Sequence, residues 1–217
     1  MTDFAAARRH MVDGQVRTAD VTDLRIIAAM LEIPREQFVP QAAAGLAYLD
    51  LDLPVGQGGG RRLLKPMVVA KLIHVADVAA TDIVLDVGCA TGYGAAVLAR
   101  IAAQAVALEE DSGLAQAARM ALATQHNVRV VSGPLTAGWP QGGPYDVIVL
   151  EGASEVSPDA FLQQLKEGGR LVCILSSGPG AKAMLYTRSG GELGGRPIFE
   201  ANASVLPGFA KKPVFAF

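Results

Sequence analysis

The sequence predicts an α/β protein with a doubly wound, mostly parallel sheet, helices on both faces and an antiparallel C-terminal finish. From about residue 79 onward, short runs of β-branched and other apolar residues alternate with alanine-rich helical stretches. Near-continuous apolar strands separated by helices are typical of a parallel sheet that is covered on both sides. Apolar residues make up 51% of the chain and aromatic residues only 6%, a composition that suits helix-on-sheet packing.

The first forty residues are predicted to be mainly helical. Leu24, Ile27, Ala28 and Leu31 are spaced at i, i+3, i+4 and i+7, which places them on one helical face. Pro40 marks the exit from this region.

Residues 41–65 carry a weaker pattern and are predicted to form a flexible loop. The loop contains the glycine run 58–60 followed by the basic stretch 61–65. A glycine-rich, locally basic segment inside a compact chain often closes over a site.

The whole chain, 1–217, is predicted to form one domain. Residues 1–78 form a helical and loop region, and residues 79–217 form an α/β core that contains the predicted sheet. The predicted strands are 83–87, 105–108, 128–131, 147–150 and 171–175. The predicted helices are 66–78, 95–102, 114–124 and 160–165. Paired glycines after Met184 and the terminal run 213–217 predict the antiparallel finish.

Charge and composition exclude several classes of partner. The 19 Lys and Arg residues against 21 Asp and Glu give a net charge of −2, which supplies no general attraction for nucleic acid or an anionic membrane. No window offers the roughly 18 apolar residues of a membrane span, and the start of the chain does not resemble an export signal. We therefore expect a cytoplasmic protein that binds neither nucleic acid nor membrane. Cys89 and Cys173 lie in apolar segments without the spacing of a zinc or redox site, so they are predicted to be buried thiols.

A glycine-rich turn at 88–94 is the main chemical signal. It follows an apolar strand and precedes a helix, as expected for a ligand site at the carboxyl end of a parallel strand. The glycines fall at Gly88, Gly92 and Gly94, whereas Ala90 stands where a dinucleotide fingerprint requires glycine. Asp86 would repel a pyrophosphate but can hold an ammonium group. The turn therefore favours a ligand with a cationic group over a dinucleotide.

Acidic residues follow two further predicted strands. Glu109 ends the second strand, where a carboxylate can accept hydrogen bonds from both ribose hydroxyls. Alternatively, Glu109, Glu110 and Asp111 are three acids that favour the N-terminus of the next helix. Glu151 follows the strand at 147–150 and either faces the site or is an ordinary loop acid.

These features and several further segments resemble the protein-L-isoaspartate O-methyltransferases over residues 11 to about 175. The cofactor half alone would indicate only a class I methyltransferase, but Phe38-Val39-Pro40 together with Ala47-Tyr48 makes the resemblance specific. The matching segments are Met11-Val12, Gln15-Val16-Arg17, 33–40, Ala47-Tyr48, 53–56, Pro66, the glycine-rich turn, Glu109, Gly138-Trp139-Pro140, Tyr145-Asp146 and 165–172.

The resemblance implies a Rossmann-like methyltransferase that binds S-adenosylmethionine and releases S-adenosylhomocysteine. The implied acceptor is the α-carboxyl group of an L-isoaspartyl residue in a protein or peptide, a repair reaction, and the implied assembly is a monomer or homodimer. A methyltransferase of the same fold with another acceptor and a catalytically silent S-adenosylmethionine-binding protein remain alternatives. The cofactor-binding candidates are Asp86, Gly88, Cys89, Ala90, Gly92, Glu109, Glu110, Leu135 and Glu151.

Two segments depart from the family pattern. The family's Thr-Ile-Ser-Gln-Pro loop aligns with 62–66, so Leu64 stands where the hydroxyl-bearing serine would be. The family's Gly-Asp-Gly appears as Gly133-Pro134-Leu135, which leaves backbone groups near Leu135 as partners for the adenine amine. Methyl transfer to a carboxylate needs no general base, so a missing hydroxyl weakens positioning without removing a chemical step.

The divergent loop supplies the predicted catalytic residues on the acceptor side, which are Leu64, Arg62 and Lys65. Three cations, Arg61, Arg62 and Lys65, lie near the expected acceptor, and a guanidinium can grip a carboxylate with two hydrogen bonds. Our hypothesis is that one of them anchors the acceptor carboxylate; the alternative is a solvated basic loop.

Overall fold

A seven-stranded sheet forms the centre of the molecule. The computed structural model describes residues 3–58, 60–176 and 180–212. The strands of the central sheet are β3 (Ile83–Val87), β4 (Gln104–Glu109), β5 (Val128–Ser132), β6 (Tyr145–Ser154), β7 (Leu165–Leu175), β8 (Lys182–Ser189) and β9 (Glu192–Glu200), and two short strands, β1 (Leu53–Val55) and β2 (Arg61–Leu63), form a separate hairpin.

The strand order confirms the predicted doubly wound fold. The order is β5-β4-β3-β6-β7-β8-β9, parallel from β5 to β7 and antiparallel for β8 and β9. The chain moves outward from β3 through β5 and then returns to place β6 on the other side of β3. This reversal opens a crevice at the carboxyl ends of β3 and β6, where ligands bind in sheets of this type. The predicted terminal run 213–217 lies outside the described residues.

The α-helices of the described residues cover one face of the sheet. They are α1 (Phe4–Met11), α2 (Leu24–Glu32), α3 (Pro66–Val75), α4 (Tyr93–Ala99) and α5 (Ser112–Ala121), with a π-helical turn at Val12–Val16 after α1. Alternate strand residues such as Val84 and Val149 join these helices in one buried cluster, which also contains Met11, Met30 and Leu64. The region before residue 79 therefore shares its core with the sheet. No helix among the described residues is long and apolar enough to cross a membrane.

The other face is covered by shorter segments. Leu85 and Ile148 pack there against Phe161, Leu206 and Phe209. The predicted helix at 160–165 is wrong: Pro158–Gln164 is a 3₁₀-helix and Leu165 already belongs to β7. The buried residues of this segment recur every third position, which matches the three residues per turn of a 3₁₀-helix.

The predicted loop at 41–65 contains more structure than its composition indicates. A 3₁₀-helix spans Gln41–Leu46, and β1 pairs with β2 so that Leu53 faces Leu63 and Val55 faces Arg61. Leu53, Val55 and Leu63 are buried, and their burial holds the hairpin against the core. Gly58 and Gly60 lie between the two strands, and Gly59 lies outside the described residues.

Candidate active site

Three carboxylates from separate strands meet at the crevice. Asp86 lies in β3, Glu109 ends β4 and Glu151 lies in β6. Asp86 pairs in register with Ala107 and Val149, which brings the carboxyl ends of the three strands together. All three acids are buried, with Glu151 the most exposed at 3%. Glu151 is therefore a buried strand residue at this edge of the sheet and not an ordinary loop acid.

The glycine-rich turn brings its own backbone close to the three acids. Gly88 and Gly92 have φ values of +78° and +95°, and Ala90 adopts +51°, a strained value that costs a residue with a Cβ about 1 kcal/mol. The backbone N–H groups of Gly88 and Cys89 donate to the Leu108 carbonyl at 2.9 and 3.1 Å. A Cβ at Gly94 would overlap the Oε1 atom of Glu151, so only glycine leaves room for this carboxylate.

Glu109 accepts four hydrogen bonds. Its Oε1 receives the N–H groups of Glu110 and Asp111 at 3.0 and 3.2 Å, and its Oε2 receives that of Ala90 at 2.8 Å. The fourth donor is Nη2 of Arg61, at 2.7 Å from Oε2. The same nitrogen donates to the Gly88 carbonyl at 2.9 Å. Arg61, one of the three candidate acceptor anchors, is therefore bound on the cofactor side.

Asp86 is buried without compensation from the protein. Neither carboxylate oxygen has a hydrogen-bond partner among the described residues. Burial raises the pKa of Asp86 well above its ordinary value, and the negative charges of Glu151 and Glu109 raise it further. Unpartnered buried polar groups are rare because they are costly. An ammonium group bound at this edge would supply the missing partner, so the residues present fit S-adenosylmethionine.

Glu151 shares this environment. Its Oε1 has no partner among the described residues. Burial raises its pKa, while the positive charges of Arg35 and Arg61 oppose the rise.

Arg35 is a site residue to which sequence reasoning gave no role. It is fully buried; its Nε donates to the Ala47 carbonyl at 2.8 Å and its Nη2 to the Leu64 carbonyl at 2.6 Å. Its guanidinium carbon lies 4.5 Å from the centre of the Tyr93 ring. Burial lowers the pKa of Arg35, and the opposing influences include the negative charge of Glu151. The available signal was its position inside the family-specific segment 33–40.

The three residues predicted to contact the acceptor differ from one another in burial and in hydrogen-bond partners. Leu64 is only 2% exposed and packs in the core, so its side chain offers no polar contact. Arg62 is exposed and donates from Nη1 to the Asp52 carbonyl at 3.2 Å. Lys65 is half-buried, and its backbone N–H donates to Oδ1 of Asp52 at 2.8 Å. The two cations therefore flank Leu64 where the hairpin returns to the core.

Three further cofactor candidates lie around the same edge. Oε2 of Glu110 accepts a hydrogen bond from the N–H of Leu135 at 3.2 Å, and Leu135 is buried. Cys89 is a buried free thiol, as predicted, and burial raises its pKa well above the ordinary value. Cys173 is likewise buried and free.

A cavity of about 540 Å³ lies beside the turn. Its walls come from the segment 37–40, the β1–β2 hairpin and α5, and Thr91 of the glycine-rich turn also lines it. The Thr91 hydroxyl donates to the Phe38 carbonyl at 2.6 Å, which fastens the glycine-rich turn to that segment.

Comparison with known proteins gives a consistent result. Residues 6–196 match the family model described as protein-L-isoaspartate(D-aspartate) O-methyltransferase. A protein-L-isoaspartate O-methyltransferase of Methylorubrum extorquens is 40% identical over 189 residues, covering 87% of this chain and 82% of that protein. A protein-L-isoaspartate O-methyltransferase 1 of Rhodopseudomonas palustris is 38% identical over 186 residues, covering 85% and 75%.

Two solved structures share the fold. A protein-L-isoaspartate O-methyltransferase aligns with a TM-score of 0.80 at 26% identity, covering 93% of this chain and 66% of that longer one. A Plasmodium falciparum protein assigned to the same family, in complex with S-adenosyl-L-homocysteine, aligns with a TM-score of 0.79 at 15% identity, covering 95% and 99%.

The contact between Gly94 and Glu151 generates the first prediction. Gly94→Ala is expected to lower the free energy of unfolding by about 2 kcal/mol, because the added methyl group forces a buried carboxylate to move. Urea denaturation measures the change. In the Glu151→Ala background the same substitution should cost much less, since the overlapping atom is gone.

Gly14→Ala is the matched control for this experiment. Gly14 lies in the helical segment Val12–Val16, and a Cβ there has nothing within 4 Å. Equal losses at Gly94 in the two backgrounds would contradict the contact.

The raised pKa of Glu151 generates a prediction about pH. Its folded-state pKa of about 8 exceeds the ordinary value of 4.5. The contribution of protonated Glu151 to the free energy of unfolding is therefore fully present below about pH 4.5, and it is lost as the pH rises through 8. Glu151→Gln, which mimics the protonated acid, should gain stability relative to the wild type between pH 5 and pH 9, by up to about 1.4 kcal/mol for each unit of pKa difference.

Urea denaturation at several pH values measures this gain. The control is the same substitution at Glu192, which is exposed in β9. If Glu151→Gln and the wild type change in parallel from pH 5 to pH 9, the raised pKa is wrong.

Proposed function

The chain belongs to the protein-L-isoaspartate(D-aspartate) O-methyltransferase family, and from this premise we propose that it methylates the α-carboxyl group of L-isoaspartyl residues with S-adenosylmethionine. The observation that carries the proposal is Asp86, a buried carboxylate without a protein partner among the described residues, at the crevice beside a glycine-rich turn. A site of this kind calls for a ligand with a cationic group.

The contacts described above support the following arrangement of the donor. Asp86 would accept hydrogen bonds from the ligand ammonium and Glu109 would face the ribose hydroxyls. Glu110 and the backbone near Leu135 would face the adenine. Gly88, Cys89, Ala90 and Gly92 let the backbone approach closely. When bound, S-adenosylmethionine supplies a methyl group on a positively charged sulfur.

The balance of buried charge supports this ligand. Asp86, Glu109 and Glu151 face two buried or nearly buried cations, Arg35 and Arg61. The raised pKa values of Asp86 and Glu151 mean that negative charge is unfavourable here without a further cation, so a positively charged ligand is bound more favourably than an anionic one.

The acceptor side requires alignment more than proton transfer. A carboxylate is ionised at pH 7 and attacks the methyl carbon directly, so the protein must hold an oxygen in line and keep water away. The Leu64 side chain is apolar and buried in the core, so it offers the acceptor no hydrogen bond. We assign the anchoring of the acceptor carboxylate to Arg62 and Lys65, the cations that flank Leu64.

The proposal includes the setting of the reaction. We expect the substrate to be a protein or peptide and the enzyme to act in the cytoplasm as a monomer or homodimer.

A methylation assay with paired peptides tests the proposed function. The purified protein is incubated with methyl-labelled S-adenosylmethionine and either an isoaspartyl peptide or the corresponding aspartyl peptide, and base-labile methanol is counted. Labelling of the isoaspartyl peptide alone is the expected result. Donor binding without labelling of either peptide would contradict the proposed acceptor and favour another acceptor or a silent binding protein.

The anchoring role of Arg62 predicts a change in KM. Arg62→Ala should raise the KM for the isoaspartyl peptide roughly fivefold with little change in kcat, since an exposed ion pair contributes about 1 kcal/mol at most. Steady-state kinetics with varied peptide measures both constants. Arg196→Ala, an exposed arginine in β9, is the control. An unchanged KM for Arg62→Ala would contradict the assignment.

A further inference from the structure

Arg61 makes contact with two groups that the donor also needs. Its Nη2 lies 2.7 Å from Oε2 of Glu109 and 2.9 Å from the Gly88 carbonyl oxygen. Glu109 is the proposed ribose ligand, and Gly88 begins the turn that approaches the donor. A Cβ at Gly88 would lie 3.2 Å from the same nitrogen, so the guanidinium rests directly on the turn. Arg61 bound to Glu109 and a nucleoside bound to Glu109 are therefore mutually exclusive.

The fit of Arg61 at this position is incomplete. Only one guanidinium nitrogen donates to the carboxylate, whereas the strongest arginine–carboxylate pairs use two. Its Nε is buried without a hydrogen-bond partner among the described residues. The side chain is 13% exposed and Glu109 is fully buried, so the contact is nearly shielded from solvent. An occupant with an unsatisfied buried N–H can be displaced by a ligand that satisfies the carboxylate better.

The hairpin that carries Arg61 has hydrogen bonds at its base that do not involve Arg61, whereas at its tip the described residues bond to the rest of the protein only through Arg61 itself. At the base, the Lys65 N–H donates to Oδ1 of Asp52 at 2.8 Å and Arg35 binds the Leu64 carbonyl at 2.6 Å. Arg61 lies at the opposite end of β2, beside the turn, where Gly56 and Gly58 have φ values of +74° and +84°. This arrangement allows the tip to move while Leu64 stays in the core.

We propose that Arg61 is an internal competitor of the donor. Arg61 binds Glu109 in place of the ribose, and it leaves the site together with the hairpin tip each time the donor enters. The inference rests on the proposed function, because it assumes that Glu109 faces the donor. An internal competitor lowers the apparent affinity in proportion to the fraction of molecules in which it occupies the site. If Arg61 occupies Glu109 about 90% of the time, its removal strengthens donor binding about tenfold.

Calorimetric titration with S-adenosylhomocysteine, which needs no acceptor, tests the competition. The Arg61→Gln variant is expected to bind about tenfold more tightly than the wild type. The control is Arg100→Gln, which removes an arginine–glutamate pair of the same 2.7 Å length on the surface, between Arg100 and Glu32. This control should bind as the wild type does.

The outcomes separate this inference from the proposed function. Equal or weaker binding by Arg61→Gln, with normal binding by the wild type, overturns the competition and leaves the proposed function intact. If the wild type and both variants fail to bind, the proposed function and the inference are both wrong.

Hydrogen exchange on the wild-type protein tests the same inference without a substitution. Saturating S-adenosylhomocysteine should speed amide exchange in peptides that cover residues 53–63, because the hairpin tip is displaced. Ligands normally slow exchange at a site they cover. Slower or unchanged exchange in this hairpin would overturn the proposal.

Discussion

The structure depends on three carboxylates buried at one edge of the sheet. Charged groups away from water are unstable unless they are paired or hydrogen-bonded. The protein meets this requirement to different extents: Glu109 has three backbone N–H groups and Arg61, Glu151 has the positive charge of Arg35 nearby, and Asp86 has no protein partner among the described residues. The acid without a partner marks where the protein is completed by a ligand.

This requirement explains why the N-terminal region is built into the core. Arg35 donates to the carbonyls of Ala47 and Leu64 and places a cation near Glu151, and the β1–β2 hairpin adds Arg61 beside Glu109. In our proposal the region that supplies these cations also supplies the acceptor side, so the donor and acceptor sites share a few residues and donor entry is coupled to the position of the hairpin.

The loss of a hydroxyl at Leu64 is compatible with the proposed chemistry. A buried leucine stabilises the return of the hairpin to the core, and methyl transfer to a carboxylate asks for alignment, to which charge and shape contribute as well as hydrogen bonds. The anchoring therefore passes in our proposal to the flanking cations. At the Gly133-Pro134-Leu135 change, the Leu135 N–H donates to Oε2 of Glu110, which places a carboxylate beside the altered segment.

The sequence by itself determined the features that depend on local pattern. The β3 strand was predicted at its observed bounds, the glycine-rich turn was predicted after it, and Glu109 was predicted at the end of the next strand. These features depend on apolar runs and on glycines at particular positions, which can be read from neighbouring residues in the chain. Only the tertiary structure decided the buried role of Arg35, the pairing of Arg61 with Glu109 and the place of Glu151 against Gly94. These contacts join residues 12 to 57 positions apart in the chain, and which charge meets which acid depends on how the hairpin and the strands pack, which no local pattern records.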